Sequence, residues 1–489
     1  MSLKAKAVSG IKWTSLSMVV VTTLGFLKLI VLGRLLGPEV FGLIGMVMVV
    51  VGFVDTFGDM GISNAIIHRQ DATRKQLSSL YWLNILVGVF IFLVVTVANP
   101  FIVSFYEEPQ IKIPLQWLSL SFIIMPVGLQ FKLLLQKELK FNTIAKIDMC
   151  SLGINIATAI VLAIYNYGIY SLVTGQLVGV SLKTFLYMIT GWQEHKPALY
   201  FNFKEIKDFL GFGLYQIGER IAFYFSTNID YIIIGKFLGA FPLGIYTLAY
   251  KMVVIPQTRI NPVITSVMFP IFSKIQNDNS RLAKGYLKII SLVATISLPL
   301  LTGLAILSPL IIPLLWGDQW LPAIPIIQIL SIMGALKALG NPIGSILLAK
   351  GRADIGFKLH IVYFFIYLFL FLYVAQFGIV YIAIAHVIIP LFTLPIGLTI
   401  LHFLINLDIV DFSRTLIKPL VGSFLMGAIM CILCFLISTR LKMGFLVLGV
   451  LIILGFAVFI VFNFVFNKIF FNEIVDAIKS KREIIENQT

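Results

Sequence analysis

Polar and charged side chains recur on one helical face of an otherwise apolar segment, residues 207–235. The residues of this face, spaced three or four apart, are Gln216, Arg220, Phe223, Thr227 and Asp230. In a helix, Arg220 would lie about 18 Å from the nearer end, which is too deep for its side chain to reach the membrane surface easily. An arginine at that depth predicts a water-filled cavity that binds an anion, and the planar guanidinium suits a phosphate group.

Four further cations lie within apolar segments and are predicted to bind the same anion. They are Lys28, Lys251, Arg259 and Lys337. The polar residues predicted to line the cavity are Gln216, Thr227 and Thr258. Internal pairing is the alternative, because Arg220 could pair with Glu219 or Asp230. Lys28 lies close enough to the end of its segment to reach the outer interface instead.

Two carboxylates, Asp55 and Asp59, lie one helical turn apart in another apolar segment. They would repel each other unless a proton, a sodium ion or a facing lysine neutralised them. Together with Glu219 and Asp230, they are predicted to be ion-coupling residues or charge partners of the cations. The alternative for Asp59 is a position at the cytoplasmic interface. Na⁺ or H⁺ is therefore the expected coupling ion, and no other cofactor is predicted.

No metal site is predicted. The five histidines are dispersed and form no HxxxH pair. Cys431 and Cys434 form a CxxC, but it lies inside the apolar run 424–437, where small apolar residues explain it better than ligands do.

The composition is that of a membrane protein. Of 489 residues, 59% are hydrophobic and 12% are charged, and the mean hydropathy is +0.99. A soluble domain would carry about 25% charged residues. The net charge of +15 does not indicate nucleic acid, because the basic residues are spread over short loops. We expect an all-α protein that contacts membrane lipids and no nucleic acid.

About fourteen segments are long and apolar enough to cross a bilayer, which takes about 20 residues. They are 9–33, 40–66, 77–99, 112–135, 142–164, 167–190, 207–235, 240–270, 285–315, 321–348, 357–375, 378–402, 416–438 and 443–466. Lys and Arg concentrate in alternate gaps, beginning with Lys4, Lys6 and Lys12 at the N-terminus. This asymmetry predicts a multi-pass membrane protein with both termini in the cytoplasm.

A repeat at an offset of 202 residues divides the chain. Residues 34–43 (RLLGPEVFGL) match residues 236–245 (KFLGAFPLGI), and each copy joins the first two segments of a set of six. The predicted domains are a six-helix bundle at 1–200, a second at 201–405, and two added helices with a basic tail at 406–489. Such duplicated bundles enclose a cavity and work by alternating access.

Three segments resemble motifs of a known family: 34–46 (RLLGPEVFGLIGM), 55–70 (DTFGDMGISNAIIHRQ) and 133–148 (LLLQKELKFNTIAKID). The chain resembles the polysaccharide-transporter, or Wzx-type, flippases of the multidrug/oligosaccharidyl-lipid/polysaccharide (MOP) exporter superfamily, in the branch that exports colanic-acid-like and teichuronic-acid-like units. The resemblance implies two six-helix bundles of the MATE/MOP fold. It also implies transfer of an undecaprenyl-diphosphate-linked oligosaccharide from the cytoplasmic to the outer leaflet, for surface polysaccharide synthesis. Glycosyltransferases or a glycan polymerase would be its functional partners.

Other functions stay open on the sequence. A lipid II-type flippase would share the two terminal helices, and a cation-coupled multidrug exporter would share the fold. A membrane enzyme such as a polymerase or ligase would need a large outer loop with catalytic Arg or His, whereas the gap 100–111 has Glu107 and Glu108 and no His. A scaffold would have no reason to keep Arg220 and Lys337 inside the membrane. No enzymatic activity is predicted.

Overall fold

The computed structural model describes residues 3–58, 73–255, 257–258, 268, 271–438 and 444–466, without the side chains of residues 3–9, 11, 58, 204–220 and 222. All regular structure in these ranges is helical. The α-helices are α1 (Leu3–Gly58), α2 (Arg74–Tyr106), α3 (Lys112–Ser119), α4 (Ser121–Lys137), α5 (Phe141–Ile164), α6 (Ile169–His195), α7 (Phe203–Leu238), α8 (Ala240–Val253), α9 (Asn279–Leu315), α10 (Ala323–Gly340), α11 (Pro342–Ala349), α12 (Ala353–Ala375), α13 (Ile379–Ile405), α14 (Ile409–Ser438) and α15 (Phe445–Phe466).

The helices agree with the predicted membrane segments. In the described residues, 11 candidate spans are long and apolar enough to cross a bilayer. The first of these, Lys12–Phe57, covers most of the first two predicted segments. The seventh predicted segment, 207–235, is helical but lacks part of its side chains, and the eighth, 240–270, falls partly outside the described residues. The chain is therefore a multi-pass membrane protein with the predicted all-α fold class.

The contacts divide the chain into two compact units, Met1–Thr247 and Leu248–Thr489. In the first unit, α5 packs along α6 and α1, and α4 packs along α6. Helix α7 packs against α1 and α2. In the second unit, α9 packs against α10 and α14, α10 packs against α13, and α15 packs against α14. The domain boundaries expected after residues 200 and 405 remain predictions.

The two copies of the internal repeat have matching backbone geometry. Gly37 has φ 75° and Gly239 has φ 85°, a conformation that glycine adopts without strain. Gly37 interrupts α1, and Gly239 lies between α7 and α8. Each copy therefore uses a glycine in the left-handed region to join two consecutive helices.

The repeat copies also contact each other reciprocally. A Cβ placed on Gly42 would lie 1.7 Å from the carbonyl oxygen of Ala240, and a Cβ on Gly244 would lie 1.7 Å from that of Pro38. At the repeat offset of 202 residues, Ala240 is the counterpart of Pro38, and Gly244 is the counterpart of Gly42. Each contact therefore joins equivalent positions of the two copies. Only a residue without a side chain allows these helices to approach so closely.

Candidate functional site

Lys337 lies in a cage of aromatic side chains within the second unit. It belongs to α10, about 21 Å along the helix from Ala323, which is deep in a hydrocarbon core about 30 Å thick. Its Nζ lies 2.8 Å from Nε2 of His386. The same ammonium lies 5.9 Å from the ring centroid of Tyr250 and 5.6 Å from that of Tyr367. Aromatic faces attract a cation, so the cage stabilises a charged lysine at this depth.

His386 forms the other half of this cage, and only 3% of its surface is exposed. Its ring stacks on Tyr250, with centroids 5.7 Å apart and an angle of 28°. Tyr367 and Phe371 each contact it edge-on, with centroids 5.4 Å away. The sequence did not predict a role for His386. The one signal in the sequence was an imidazole in the middle of an apolar segment. A polar ring without a partner inside a membrane costs free energy, so a partner was to be expected.

Four helices, α8, α10, α12 and α13, must meet to build the cage, and a glycine permits one of the crossings. A Cβ on Gly334 would lie 2.6 Å from Cγ1 of Val253 in α8. Lys337 follows Gly334 by one helical turn, so the close approach of α8 and α10 places Tyr250 beside the lysine. Helix α13 packs on α10 and supplies His386.

Lys251 follows Tyr250 directly, but its environment differs from that of Lys337. It lies about 16 Å along α8 from Ala240, and its side chain is exposed. Within the described ranges, Lys251 has no hydrogen bond or ion pair. Thr258 is also exposed, and its hydroxyl donates to the carbonyl of Val254 at 2.9 Å. A lysine on the exposed side of a membrane helix needs water or a polar ligand for its ammonium, which agrees with the predicted cation site.

Lys28 is bound by polar groups in the first unit. Its Nζ donates to Oδ1 of Asn155 in α5 at 2.7 Å. Nδ2 of Asn155 donates to Oε1 of Gln176 in α6 at 3.2 Å. Gly179 makes room for this amide, because a Cβ there would lie 2.7 Å from Cβ of Asn155. Neither Asn155 nor Gln176 was predicted, and each is separated from Lys28 by more than 100 residues of sequence.

Asp230 and Thr227, from the polar face of α7, occupy different environments. Asp230 is 1% exposed and accepts a hydrogen bond from the hydroxyl of Tyr246 at 2.7 Å. Its other oxygen accepts from the backbone N–H of Tyr231 at 3.0 Å. Thr227 is exposed, and its hydroxyl donates to the carbonyl of Phe223 at 2.8 Å. Thus Asp230 takes part in packing, and Thr227 is available to line a cavity.

The remaining predicted site residues can be placed only in part. Asp55 is exposed on α1. Asp59 and Arg259 lie outside the described residues, as do the side chains of Gln216, Glu219 and Arg220, whose backbone belongs to α7. Their roles stay predictions.

A second ionic cluster lies at the end of α4 and α6. Glu138, Glu194 and His195 bring three potential metal ligand atoms within 4.8 Å of one another. Nζ of Lys140 lies 2.8 Å from a carboxylate oxygen of Glu138 and 2.8 Å from one of Glu194. The lysine therefore supplies the positive charge that a metal ion would supply. Burial raises the pKa of Glu138, but hydrogen bonds from Lys140 and His195 outweigh it and hold that pKa below its usual value. The cluster therefore has the properties of an ion-pair network joining two helix ends.

Residues 31–325 match the family described as polysaccharide biosynthesis protein. The chain is 38% identical to the teichuronic acid biosynthesis protein TuaB of Bacillus subtilis (strain 168), across 89% of this chain and 90% of TuaB. It is 35% identical to the lipopolysaccharide biosynthesis protein WzxC of Escherichia coli (strain K12), across 75% of each chain.

Solved structures have the same fold. The lipid II flippase MurJ, in an inward closed conformation, aligns with a TM-score of 0.74 at 18% identity, covering 96% of this chain and 100% of that one. An inward-facing MATE family multidrug resistance transporter of the MOP superfamily aligns with a TM-score of 0.61 at 16% identity, covering 81% and 98%. These similarities confirm the predicted MATE/MOP fold.

Proposed function

Because this chain belongs to the polysaccharide biosynthesis family of membrane flippases, we propose that it moves an undecaprenyl-diphosphate-linked oligosaccharide from the cytoplasmic to the outer leaflet by alternating access. The repeat unit would serve the synthesis of a surface polysaccharide. The observation that carries the proposal is that a chain of this family has the fold of a lipid II flippase along 96% of its length.

The cations inside the membrane support a diphosphate cargo. Lys251 has an exposed side chain and no ionic partner in the described ranges, so it is available to contact an anion. The charge of Lys337 is stabilised by the ring of Tyr250, the residue that precedes Lys251 in α8. An anionic headgroup needs such charges, because a diphosphate entering hydrocarbon without them would lose its hydration uncompensated. Arg220, Arg259 and Lys28 are further candidates for this role.

The orientation and partners follow from the same proposal. The protein would lie in the bacterial cytoplasmic membrane with both termini in the cytoplasm, because the basic loops alternate in that sense. It would receive its cargo from glycosyltransferases that act on the cytoplasmic face and deliver it to a polymerase outside. Na⁺ or H⁺ would be the coupling ion.

Reconstitution tests the function directly. Proteoliposomes carrying the purified chain should translocate a fluorescent undecaprenyl-diphosphate-linked oligosaccharide, measured by chemical quenching of the outer leaflet. An uncharged polyprenol-linked saccharide should not be translocated. If liposomes with the protein move the diphosphate lipid no faster than empty liposomes, the proposed function is wrong. A lipid II arm run in parallel distinguishes the two classes of cargo.

Single charge removals test the cation site in the same assay. Lys251→Gln should slow transport roughly 10- to 100-fold, since a hydrogen bond to a charged group contributes about 1.5–3 kcal/mol. Lys284→Gln is the matched control, because it removes one exposed lysine from the first turns of α9. Parent-like rates in Lys251→Gln would remove this residue from the cargo site.

A further inference from the structure

The linker at residues 196–202 joins α6 to α7 in an extended conformation. Pro197 disfavours helical angles in the residue before it, so α6 ends at His195 and Lys196 is extended, with φ −53° and ψ 119°. The next helix, α7, begins at Phe203. An extended chain makes no hydrogen bonds within itself, so its backbone groups need partners elsewhere.

Side chains near the start of α2 supply those partners. Oγ of Ser78 accepts from the backbone N–H of Ala198 at 2.9 Å, and Nε1 of Trp82 donates to the carbonyl of Ala198 at 2.9 Å. Oγ of Ser79 accepts from the backbone N–H of Asn202 at 3.1 Å. Both serines are buried. These bonds fix the linker against α2 and determine which of its side chains point away from that helix.

The side chains that point away from α2 are large and apolar. Against the described residues, Leu199 is 93% exposed, Phe201 is 47% exposed, and Phe203 is 55% exposed. Tyr200 and Asn202, which lie between them, are half-buried. Successive side chains of an extended chain lie on opposite faces, so the outer face of the linker is a row of three apolar side chains. An apolar row that hydrogen bonds hold outward indicates a contact with an apolar phase or partner.

The residues beside the linker are those of a membrane–water interface. Trp82, Trp192 and Tyr200 each combine an apolar ring with a polar tip, as the aromatic belts of membrane proteins do. Nζ of Lys75 lies 5.3 Å from the ring centroid of Tyr200, and Nζ of Lys196 lies 5.7 Å from that of Trp192. Both lysine side chains are exposed, which makes them available to anionic headgroups.

We propose that the linker anchors the chain in the membrane interface and binds anionic phospholipid there. Leu199, Phe201 and Phe203 insert among the acyl chains of the nearer leaflet, and Lys75 and Lys196 bind lipid phosphate groups. The occupant is lipid rather than protein, because a lipid layer offers apolar chains and negative phosphates together, which match the apolar row and the cations beside it. The inference does not depend on the cargo. In the proposed orientation, this leaflet is the cytoplasmic one.

Spin labels on the full chain in lipid nanodiscs measure the depth of the linker. The chain has three native cysteines, so the label is introduced in a background with the substitutions Cys150→Ala, Cys431→Ala and Cys434→Ala. Leu199→Cys and Phe201→Cys each place one label on the apolar row. Oxygen concentrates among acyl chains, whereas a nickel chelate stays in water. We expect both labels to be relaxed more by oxygen than by the nickel chelate.

Asn277→Cys is the control, because Asn277 is an exposed polar residue in the loop before α9. Its label should be relaxed more by the nickel chelate. A label at Leu199 that is as accessible to the chelate as the label at Asn277 overturns the proposal. A label at Leu199 that neither reagent reaches also overturns it, since protein rather than lipid would then cover the apolar row.

Native mass spectrometry of phospholipid binding tests the headgroup contact. Lys75→Gln combined with Lys196→Gln keeps the backbone hydrogen bonds of the linker and should weaken phosphatidylglycerol binding about fivefold for each charge removed. Phosphatidylcholine is the neutral control lipid, and its binding should not change. Lys274→Gln combined with Lys284→Gln is the matched control, because it removes two exposed lysines of the second unit. Equal loss of phosphatidylglycerol in both double variants, or no loss in the first, contradicts the proposed lipid site.

Discussion

Gly42 lies at the crossing between the two repeat copies and gives the sharpest test of the fold. Alanine there would place its Cβ 1.7 Å from the carbonyl oxygen and 2.5 Å from the carbonyl carbon of Ala240. Both atoms belong to the backbone, so no side-chain rotation relieves the overlap. An ordinary contact begins at 3.4 Å. The helices must therefore separate by about 1.7 Å at this point, which forfeits about half or more of the attraction between the facing atoms.

The expected cost of Gly42→Ala is about 3 kcal/mol, the upper end of the usual range for overpacking. Gly25→Ala, in the part of α1 before Gly37, is the control, because no atom lies within 4 Å of its Cβ position. It should leave stability unchanged or raise it by up to about 1 kcal/mol, since alanine favours helix more than glycine does.

Heating the purified protein in detergent, followed by gel filtration of what remains monodisperse, measures both effects. We expect the midpoint temperature to be lower than the parent's for Gly42→Ala, and not to be lowered for Gly25→Ala. Gly244→Ala should behave like Gly42→Ala, and the double variant should lose less than the sum, because the first substitution already separates the helices. Equal midpoints for Gly42→Ala, Gly25→Ala and the parent would refute the close helix crossing.

Three smaller predictions concern other contacts. Thr73→Ala removes the N-terminal cap of α2 and should cost about 1 kcal/mol in the same heating assay, whereas Thr73→Ser should cost little; equal losses would contradict the cap. Tyr246→Phe removes a donor to the buried Asp230 and should cost about 1–3 kcal/mol, and a midpoint equal to the parent's would argue against this bond. A hydrogen bond and the charge of Lys236 lower the pKa of Glu107, so this pair stabilises the protein above the usual carboxyl range and loses its effect as the pH falls through that lowered pKa. The midpoints of Glu107→Gln and the parent should thus converge at acidic pH, and a difference constant with pH would exclude the ion pair.

The sequence alone determined the architecture, because a bilayer imposes strong and local requirements. Each span needs about 20 apolar residues in succession, so its position can be read directly from the chain. The helices agree with the predicted segments wherever both are described. The repeat was visible for a similar reason. A backbone with positive φ favours glycine, and Gly37 and Gly239 mark equivalent joints in both copies.

Only the tertiary structure decided which side chains meet. His386 and Lys337 are 49 residues apart, and Lys28 and Asn155 are 127 apart. Thr227 and Asp230 belong to the polar face that was predicted on α7, yet Asp230 is buried against Tyr246 while Thr227 is exposed. Periodicity fixes which residues share a helical face, but it does not specify which neighbour that face contacts. That choice depends on how closely two helices approach, and here glycines such as Gly42 and Gly334 set the distance.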